Sequence, residues 1–96
     1  MVHLLAEVKA HNEHIAQVEV LLRGLLEPTR NEKGCCQYEL HADSKIPGLF
    51  LLQEIWCSQE SLDTHMQTEH FQSFKQICED RDLLEYVQLR PLQFLG

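Results

Sequence analysis

The sequence has few basic residues and no cluster of them. Lysine and arginine number 8, against 15 aspartate and glutamate residues, which gives a formal net charge of -7. Nucleic acids and anionic membrane surfaces are bound through concentrated positive charge. The sequence therefore predicts neither a nucleic-acid partner nor a membrane partner.

Long hydrophobic runs are also missing. No stretch approaches the roughly 20 apolar residues that a membrane-spanning helix requires. The segment from Met1 to Ala10 contains a histidine, a glutamate and a lysine, unlike the basic start and continuous apolar core of a secretory signal. We therefore expect a cytoplasmic protein.

Cysteine is present, but without the context of a disulfide framework. The chain has four cysteines, Cys35, Cys36, Cys57 and Cys78. Without a secretory signal we interpret them as reduced thiols. Cys35 and Cys36 are adjacent in a strand-like run, where consecutive side chains point to opposite faces. A disulfide between those two is not expected.

The composition is that of an ordinary globular protein, with 44% hydrophobic and 24% charged residues in a chain of 96. There is no internal repeat, low-complexity tract or linker, so residues 1-96 are expected to form a single domain. A domain this small buries only about two-thirds of its unfolded surface. Association would therefore help to stabilise it.

The first half of the sequence predicts a strand, a helix and a second strand. Val2 to Ala10 is rich in aliphatic and β-branched residues. Asn12 is the candidate N-cap of an amphipathic helix that stops near Gly34, with Pro28 predicted to kink or tighten its last turn. Cys35 to Ala42 alternates apolar and polar residues, which is typical of a strand.

The second half predicts a strand and a helical region. Asp43 to Gly48 indicates a turn, and Leu49 to Trp56 is apolar enough for a strand buried on both faces. Ser58 is a candidate cap for a helix that reaches about Thr68. Helical spacing continues from Phe71 after a break.

The last strand, Leu84 to Leu89 before Pro91, completes a β-α-β-β-α-β order. This order is typical of an α+β, ferredoxin-like fold with an antiparallel sheet and helices on one side. The other face of an apolar sheet would remain bare. We therefore expect two copies to pack sheet against sheet as a homodimer.

Three segments of the chain together resemble a known family. They are RNEKGCCQYEL at Arg30 to Leu40, EIW at Glu54 to Trp56 followed by Ser58, and LDTHMQTEHFQSF at Leu62 to Phe74. In this order and at these separations they are similar to the antibiotic biosynthesis monooxygenase (ABM) family, nearest to its quinol monooxygenases. The resemblance covers nearly the whole chain.

The resemblance implies a dimeric α+β barrel with a pocket between sheet and helices in each subunit. In catalytic members it implies insertion of oxygen into quinols, anthrones or similar electron-rich aromatic molecules without flavin, haem or metal. The expected partners are thus a small aromatic substrate and molecular oxygen. Such chemistry requires a base near neutrality, an apolar pocket and a donor for a developing oxyanion.

Two residues are candidates for catalysis. His65 shares a helical face with Leu62 and titrates near neutral pH, so it is the candidate base. The alternative for His65 is a structural histidine in the core or an interface. Trp56 falls where the family has its tryptophan, so its indole N–H is a candidate donor to a substrate oxygen. The alternative for Trp56 is a large core residue.

Further candidates would line the pocket and bind substrate: Tyr38, Leu52, His70, Phe71 and Phe74. Some catalytic relatives have an asparagine in place of Leu52, which cannot form hydrogen bonds. His70 is better explained as capping or orienting the helical segment that follows. Arg30 and Glu32 are interpreted as holding the chain reversal after the first helix through charge contacts.

Other functions remain open. One is an isomerase of a small hydroxyketone metabolite, which needs a basic pocket residue, although the basic side chains are expected at helix ends. Another is a non-catalytic module that binds a small molecule. Two or more titratable groups near Trp56 would favour catalysis, whereas a purely apolar lining would favour binding.

No metal or other cofactor is expected. His65 and His70 are five residues apart, a poor match to the i, i+4 spacing that places two imidazoles on one helical face. Their separation from Trp56 also differs from that in haem-degrading relatives of the barrel.

Overall fold

The computed structural model describes all residues from Met1 to Gly96. Its elements are β1 (Val2–Ala10), a 3-10 turn (Asn12–His14), α1 (Ile15–Arg30), β2 (Cys35–Ala42), β3 (Leu49–Trp56), α2 (Gln59–Met66), α3 (Glu69–Asp80) and β4 (Leu84–Leu92). This confirms the predicted α+β, ferredoxin-like order, with two helices between β3 and β4.

The four strands form one antiparallel sheet in the order β2-β3-β1-β4. The two central strands are β1 and β3, and Ala6 of β1 lies opposite both Leu52 of β3 and Leu89 of β4. The two outer strands, β2 and β4, form the edges of the sheet. Pockets between sheet and helices are therefore bounded by β4 on one side.

Burial alternates along the central strands, because only one face of the sheet is covered by helices. The buried residues are Leu4, Ala6, Val8 and Ala10 on β1 and Phe50, Leu52, Glu54 and Trp56 on β3. On α1 the core is formed by Val18, Leu22 and Leu25. The expectation that β3 is buried on both faces is wrong for a single chain, since Leu49, Leu51 and Ile55 stay half-buried.

The first helical region begins differently from the prediction. Asn12 lies in the 3-10 turn, and neither that turn nor α1 has a side-chain cap. The turn is closed by a backbone hydrogen bond of 2.9 Å from His14 N–H to the carbonyl of His11. The backbone thus makes the first bond itself, and the predicted N-cap at Asn12 is wrong.

The region after β3 contains two separately capped helices. Ser58 Oγ accepts a hydrogen bond of 3.1 Å from Ser61 N–H, which confirms the predicted cap. Thr68 Oγ1 accepts one of 3.3 Å from Phe71 N–H and so starts α3. Because Thr68 caps the next helix, α2 ends at Met66 rather than at about residue 68. No helix is both long and apolar enough to cross a membrane.

The last strand is longer than predicted. It passes through Pro91, which lies opposite Leu4 of β1, and ends at Leu92. Proline has no N–H, so it is tolerated in an edge strand, where one side of the backbone needs no partner. Pro91 therefore does not bound the strand as expected.

Gly34 shapes the turn between α1 and β2. Its φ is +96°, a conformation that favours glycine, and a Cβ here would collide with the Ser61 side chain. Its carbonyl accepts a hydrogen bond of 2.8 Å from Cys57 N–H. This contact ties the turn that carries Glu32 to the end of β3.

Candidate active site

A cavity of about 450 Å³ lies between the helix-covered face of the sheet and helices α2 and α3. This size is in the usual range for a small-molecule site. Most of its wall is apolar. Its polar wall residues are Tyr38, Glu54, His65, Lys75 and Glu79.

The cavity brings together most residues that the sequence proposes for the site. Those in its wall are Tyr38, Leu52, His65, Phe71 and Phe74. Trp56 and His70 are not wall residues, although each lies close to the His65 ring, with ring centroids 4.7 Å and 6.1 Å away. Trp56 and His70 therefore lie behind the cavity wall, next to the His65 ring that forms part of it.

Glu32 joins the two histidines. Its Oε2 lies 2.7 Å from Nδ1 of His65 and 2.7 Å from Nε2 of His70. A carboxylate only accepts hydrogen bonds, so each of these ring nitrogens carries the hydrogen. The Nε2 atom of His65 is then left as the basic nitrogen of a neutral ring. The earlier interpretation of Glu32 as a charge contact that holds the chain reversal is therefore wrong.

His70 does not cap the helical segment that follows, but its position agrees with the expected orienting role. Thr68 caps α3, and His70 lies in the first turn of that helix with its ring hydrogen-bonded to Glu32. Arg30, in turn, donates from Nε to the backbone carbonyl of Tyr38 at 3.0 Å. The turn after α1 is thus held by Arg30, while Glu32 is left to orient the histidines.

His65 is almost completely buried, with 1% of its surface exposed. Burial lowers the pKa of the imidazole, because the charged form loses solvation, and the Glu32 carboxylate only partly opposes this effect. His65 is therefore neutral at pH 7. Its ring is packed against Phe71, with centroids 5.1 Å apart, which fixes its orientation.

Glu54 forms a second polar group in the cavity. It lies two residues before Trp56 on β3, so both side chains share one face, and Trp56 Nε1 donates to Glu54 Oε1 at 3.0 Å. Glu54 is only 4% exposed, and burial raises its pKa to about 7, although the indole hydrogen bond opposes the shift. The indole N–H predicted to meet a substrate oxygen is thus directed at Glu54.

The chain matches a known protein family in sequence. Residues 1–77 match the family model of the antibiotic biosynthesis monooxygenases. The chain belongs to the ABM family. The matched residues end in α3, before β4, but similarity to solved structures includes that strand as well.

Two solved structures show how closely this ABM chain follows the fold. PA3566 from Pseudomonas aeruginosa is 37% identical, with a TM-score of 0.93 over 99% of this chain and 94% of that chain. A structure described as an antibiotic biosynthesis monooxygenase is 30% identical, with a TM-score of 0.90 and complete coverage (100%) of both chains. Uncharacterized protein sll1783 of Synechocystis sp. is 37% identical over 54 residues, which are 56% of this chain and 37% of that relative.

Tyr38 forms the wall of the ABM cavity beside the histidine. Its ring lies 5.7 Å from that of His65 and 6.5 Å from that of Trp56, between centroids. Burial raises the pKa of the phenol, and the nearby Glu54 adds to the increase. Tyr38 therefore stays neutral. His41 lies on the opposite face of β2 and is exposed, in agreement with the predicted alternation.

The two acidic residues were missed by sequence reasoning for different reasons. Glu54 had a usable signal, because E-x-W within a strand places both side chains on one face. Glu32 had none, since its partners lie 33 and 38 residues further along the chain. Only the packing of α2 and α3 against the turn after α1 brings them together.

Glu32, His65 and His70 also place three potential metal-binding atoms within 4.8 Å of one another. The spacing argument against a shared site does not apply, because α2 ends at Met66 and the two histidines lie on different helices. A cation here would have to displace the hydrogen bonds that Glu32 makes to both rings. The group can thus act as a hydrogen-bonded triad or as a ligand set, but not as both.

The cavity contains one basic side chain. Lys75 of α3 lines it, within the helix rather than at its end, which corrects the expected placement of basic residues. With Glu54 and His65, the ABM cavity therefore contains an ammonium, a carboxyl and an imidazole group. The lining is therefore mixed, rather than purely apolar.

Proposed function

We propose that this ABM protein is a monooxygenase that oxidises a quinol, an anthrone or a similar electron-rich aromatic molecule without a cofactor. The observation that supports this most is the neutral His65, held at Nδ1 by Glu32, in the wall of a mostly apolar cavity. Glu54 is a second titratable group beside Trp56. Such convergence favours catalysis over passive binding.

In the proposed reaction, Nε2 of His65 removes a proton from the bound phenol or from the activated methylene carbon of an anthrone. The resulting anion is electron-rich enough to transfer an electron to molecular oxygen, and the two radicals combine as a peroxide. The proton returns from His65 as the O–O bond breaks. For an anthrone, the methylene carbon loses two hydrogens and becomes a carbonyl, and the second oxygen atom leaves as water.

The other wall residues suit this chemistry. Phe71, Phe74 and Leu52 offer apolar surface to an aromatic ring. The cavity excludes water from the anion, which increases its reactivity toward oxygen. With its pKa at about 7, Glu54 is partly protonated at neutral pH and donates to a developing oxyanion. It would thus supply the polar contact that Leu52 cannot.

Oxygen uptake by the purified, chelator-treated protein tests the proposal. With a panel of quinols and anthrones we expect uptake above the buffer rate, in equal amount to the oxygenated product, because deprotonation alone activates these compounds. Treatment with EDTA should leave the rate unchanged. No uptake with any compound, or a rate that returns only when a metal is added, would contradict the proposal.

A hydroxyketone isomerase is the second candidate, and Lys75 is the observation that favours it. An ammonium group in the cavity wall offers a contact for the anionic group of a phosphorylated substrate. His65 and Glu54 would then move a proton between neighbouring carbons. Deuterium incorporation from solvent into a phosphorylated hydroxyketone, without oxygen uptake, would favour this function.

We also propose that residues 1-96 act as one domain of a homodimer in which the bare sheet faces pack together. That face carries the half-buried Leu5, Leu49, Leu51 and Ile55, and the exposed Tyr86 lies beside Lys9 in the strand register. Its charged residues are already paired in part, with Arg90 Nε 2.7 Å from Glu7 Oε1. Covering such a face removes apolar surface from water.

Replacing Tyr86 with glutamate is expected to convert the dimer to a monomer at micromolar concentration, since a charge would have to be buried in the interface. Light scattering coupled to size-exclusion chromatography measures this. Val20→Glu is the matched control, because Val20 is exposed on α1, on the helical side. A wild-type monomer, or equal effects of both substitutions, would exclude this interface.

A further inference from the structure

Two exposed cysteines lie next to each other at the edge of the sheet. The Sγ atoms of Cys36 and Cys57 are 3.7 Å apart. Both residues are exposed, both thiols are free, and 20 residues separate them in sequence. The function proposed above uses neither of them.

Backbone contacts position each of the two cysteines. The strand pairing of β2 with β3 shifts between Cys35 and Gln37, so Cys36 is the extra residue of a β-bulge. Cys57 directly follows β3, and its N–H is bonded to the Gly34 carbonyl at 2.8 Å. A disulfide has an S–S length of about 2.05 Å, so small side-chain rotations would bring the sulfurs together.

We propose that Cys36 and Cys57 form a reversible disulfide when a hydroperoxide reaches the protein. One thiol takes an oxygen atom from hydrogen peroxide and becomes a sulfenic acid, and the first water molecule leaves. The second thiol attacks the sulfur of the sulfenic acid, and the S–S bond forms. The sulfenic hydroxyl leaves with the proton of that thiol as the second water molecule. Two thiols thus lose two electrons, and one peroxide is reduced.

The other two cysteines differ in their surroundings. Cys35 is half-buried, and Cys78 is buried in the core, where burial raises the pKa of its thiol to about 11. The pKa of the Cys36 thiol is also raised, mainly because it shares a hydrogen bond with Cys57. Oxidation of the pair should therefore accelerate as the pH rises, since the thiolate is the reactive form.

The bond would connect two segments that carry the candidate active site. Cys36 follows the turn that holds Glu32, and Cys57 follows Glu54 and Trp56 on β3. Closing a loop of this size restricts the unfolded chain, so the oxidised protein is expected to melt roughly 10 °C higher.

The test is peroxide treatment of the full chain, followed by intact mass, thiol count and peptide mapping without reductant. We expect an intact mass lower by two hydrogen atoms, loss of two thiols, a Cys36–Cys57 linked peptide, and a melting temperature that dithiothreitol returns to its starting value. Cys36→Ser and Cys57→Ser should each abolish the link and the shift. Both positions are exposed, so neither serine should disturb folding.

Cys35→Ser is the matched control and should leave both the link and the shift intact. Three results would overturn the proposal. The first is a link that involves Cys35, the second is a disulfide only between chains, and the third is oxidation of Cys36 to a sulfinic acid without any link. None of these depends on finding a substrate, so the outcome is separate from that of the oxygen-uptake experiment.

Discussion

Replacing His65 with asparagine is expected to lower kcat for oxygenation by a factor of about 10² to 10⁴, the usual contribution of a general base. The asparagine amide can occupy the place of Nδ1 and still donate to Glu32, but it has no basic nitrogen in the place of Nε2. The substitution therefore removes the base and keeps the hydrogen bond. Initial rates of oxygen uptake at saturating substrate measure the effect.

The matched control is His14→Asn, because His14 lies in the 3-10 turn, outside the cavity wall and away from the bare sheet face. It should leave kcat unchanged. Melting temperatures of both variants show whether a loss of activity follows from a loss of folding. A well-folded His65→Asn protein with the wild-type kcat would show that His65 is not the base.

The pH dependence of kcat/KM identifies which group acts as the base. The pKa of His65 is lowered by burial, so an imidazole base would lose activity only below the usual histidine range. Glu54, with a pKa of about 7, would lose activity as a base around neutral pH instead. We expect the acidic limb of the profile to lie below about pH 6.5, in agreement with His65.

Replacing Glu54 with glutamine is expected to stabilise the protein relative to wild type by about 2 to 3 kcal/mol more at pH 8 than at pH 5. The folded-state pKa of Glu54 is raised from 4.5 to about 7 by burial. Between about pH 4.5 and pH 7 the Glu54 carboxyl keeps its proton in the folded state but has lost it in the unfolded state. Wild-type stability therefore falls as the pH rises from about 4.5 to about 7 and is constant above that.

Glutamine remains neutral at every pH, and its amide oxygen can still accept the hydrogen bond from Trp56. Urea unfolding of both proteins at the two pH values gives the difference in free energy. Glu27→Gln is the control, because Glu27 is exposed on α1, outside the cavity wall and away from the bare sheet face, and the stability of this variant at the two pH values gives the baseline. Parallel stability curves for wild type and Glu54→Gln would mean that Glu54 titrates normally in the folded protein.

Much of the fold could be predicted from local patterns. The bounds of β1, β2 and β3 and the cap at Ser58 follow from alternation and side-chain chemistry within a few residues. The errors occur at ends. Asn12 does not cap a helix, because a backbone hydrogen bond closes the turn there, and Pro91 lies within an edge strand instead of ending it. Both outcomes depend on which backbone N–H and C=O groups have hydrogen-bond partners.

The site residues that could be predicted are those whose position depends on a single strand or helix. The motif residues Tyr38, His65, Phe71 and Phe74 line the cavity, and each lies on the element that the sequence indicated. What was missed concerns contacts between elements. The role assigned to Glu32 and the capping role considered for His70 were wrong, because their mutual contact depends on how α3 lies against the turn after α1.

Local sequence patterns were sufficient to predict the family, the order of strands and helices, and the candidate base at His65. These depend on residues close together along the chain, whose spacing sets which side chains share a face. Three features follow only from the tertiary structure. Glu32 bridges two histidines, burial raises the pKa of Glu54 to about 7, and the Sγ atoms of Cys36 and Cys57 lie close together. Each of these depends on distance and solvent exclusion between remote segments, which no local pattern encodes.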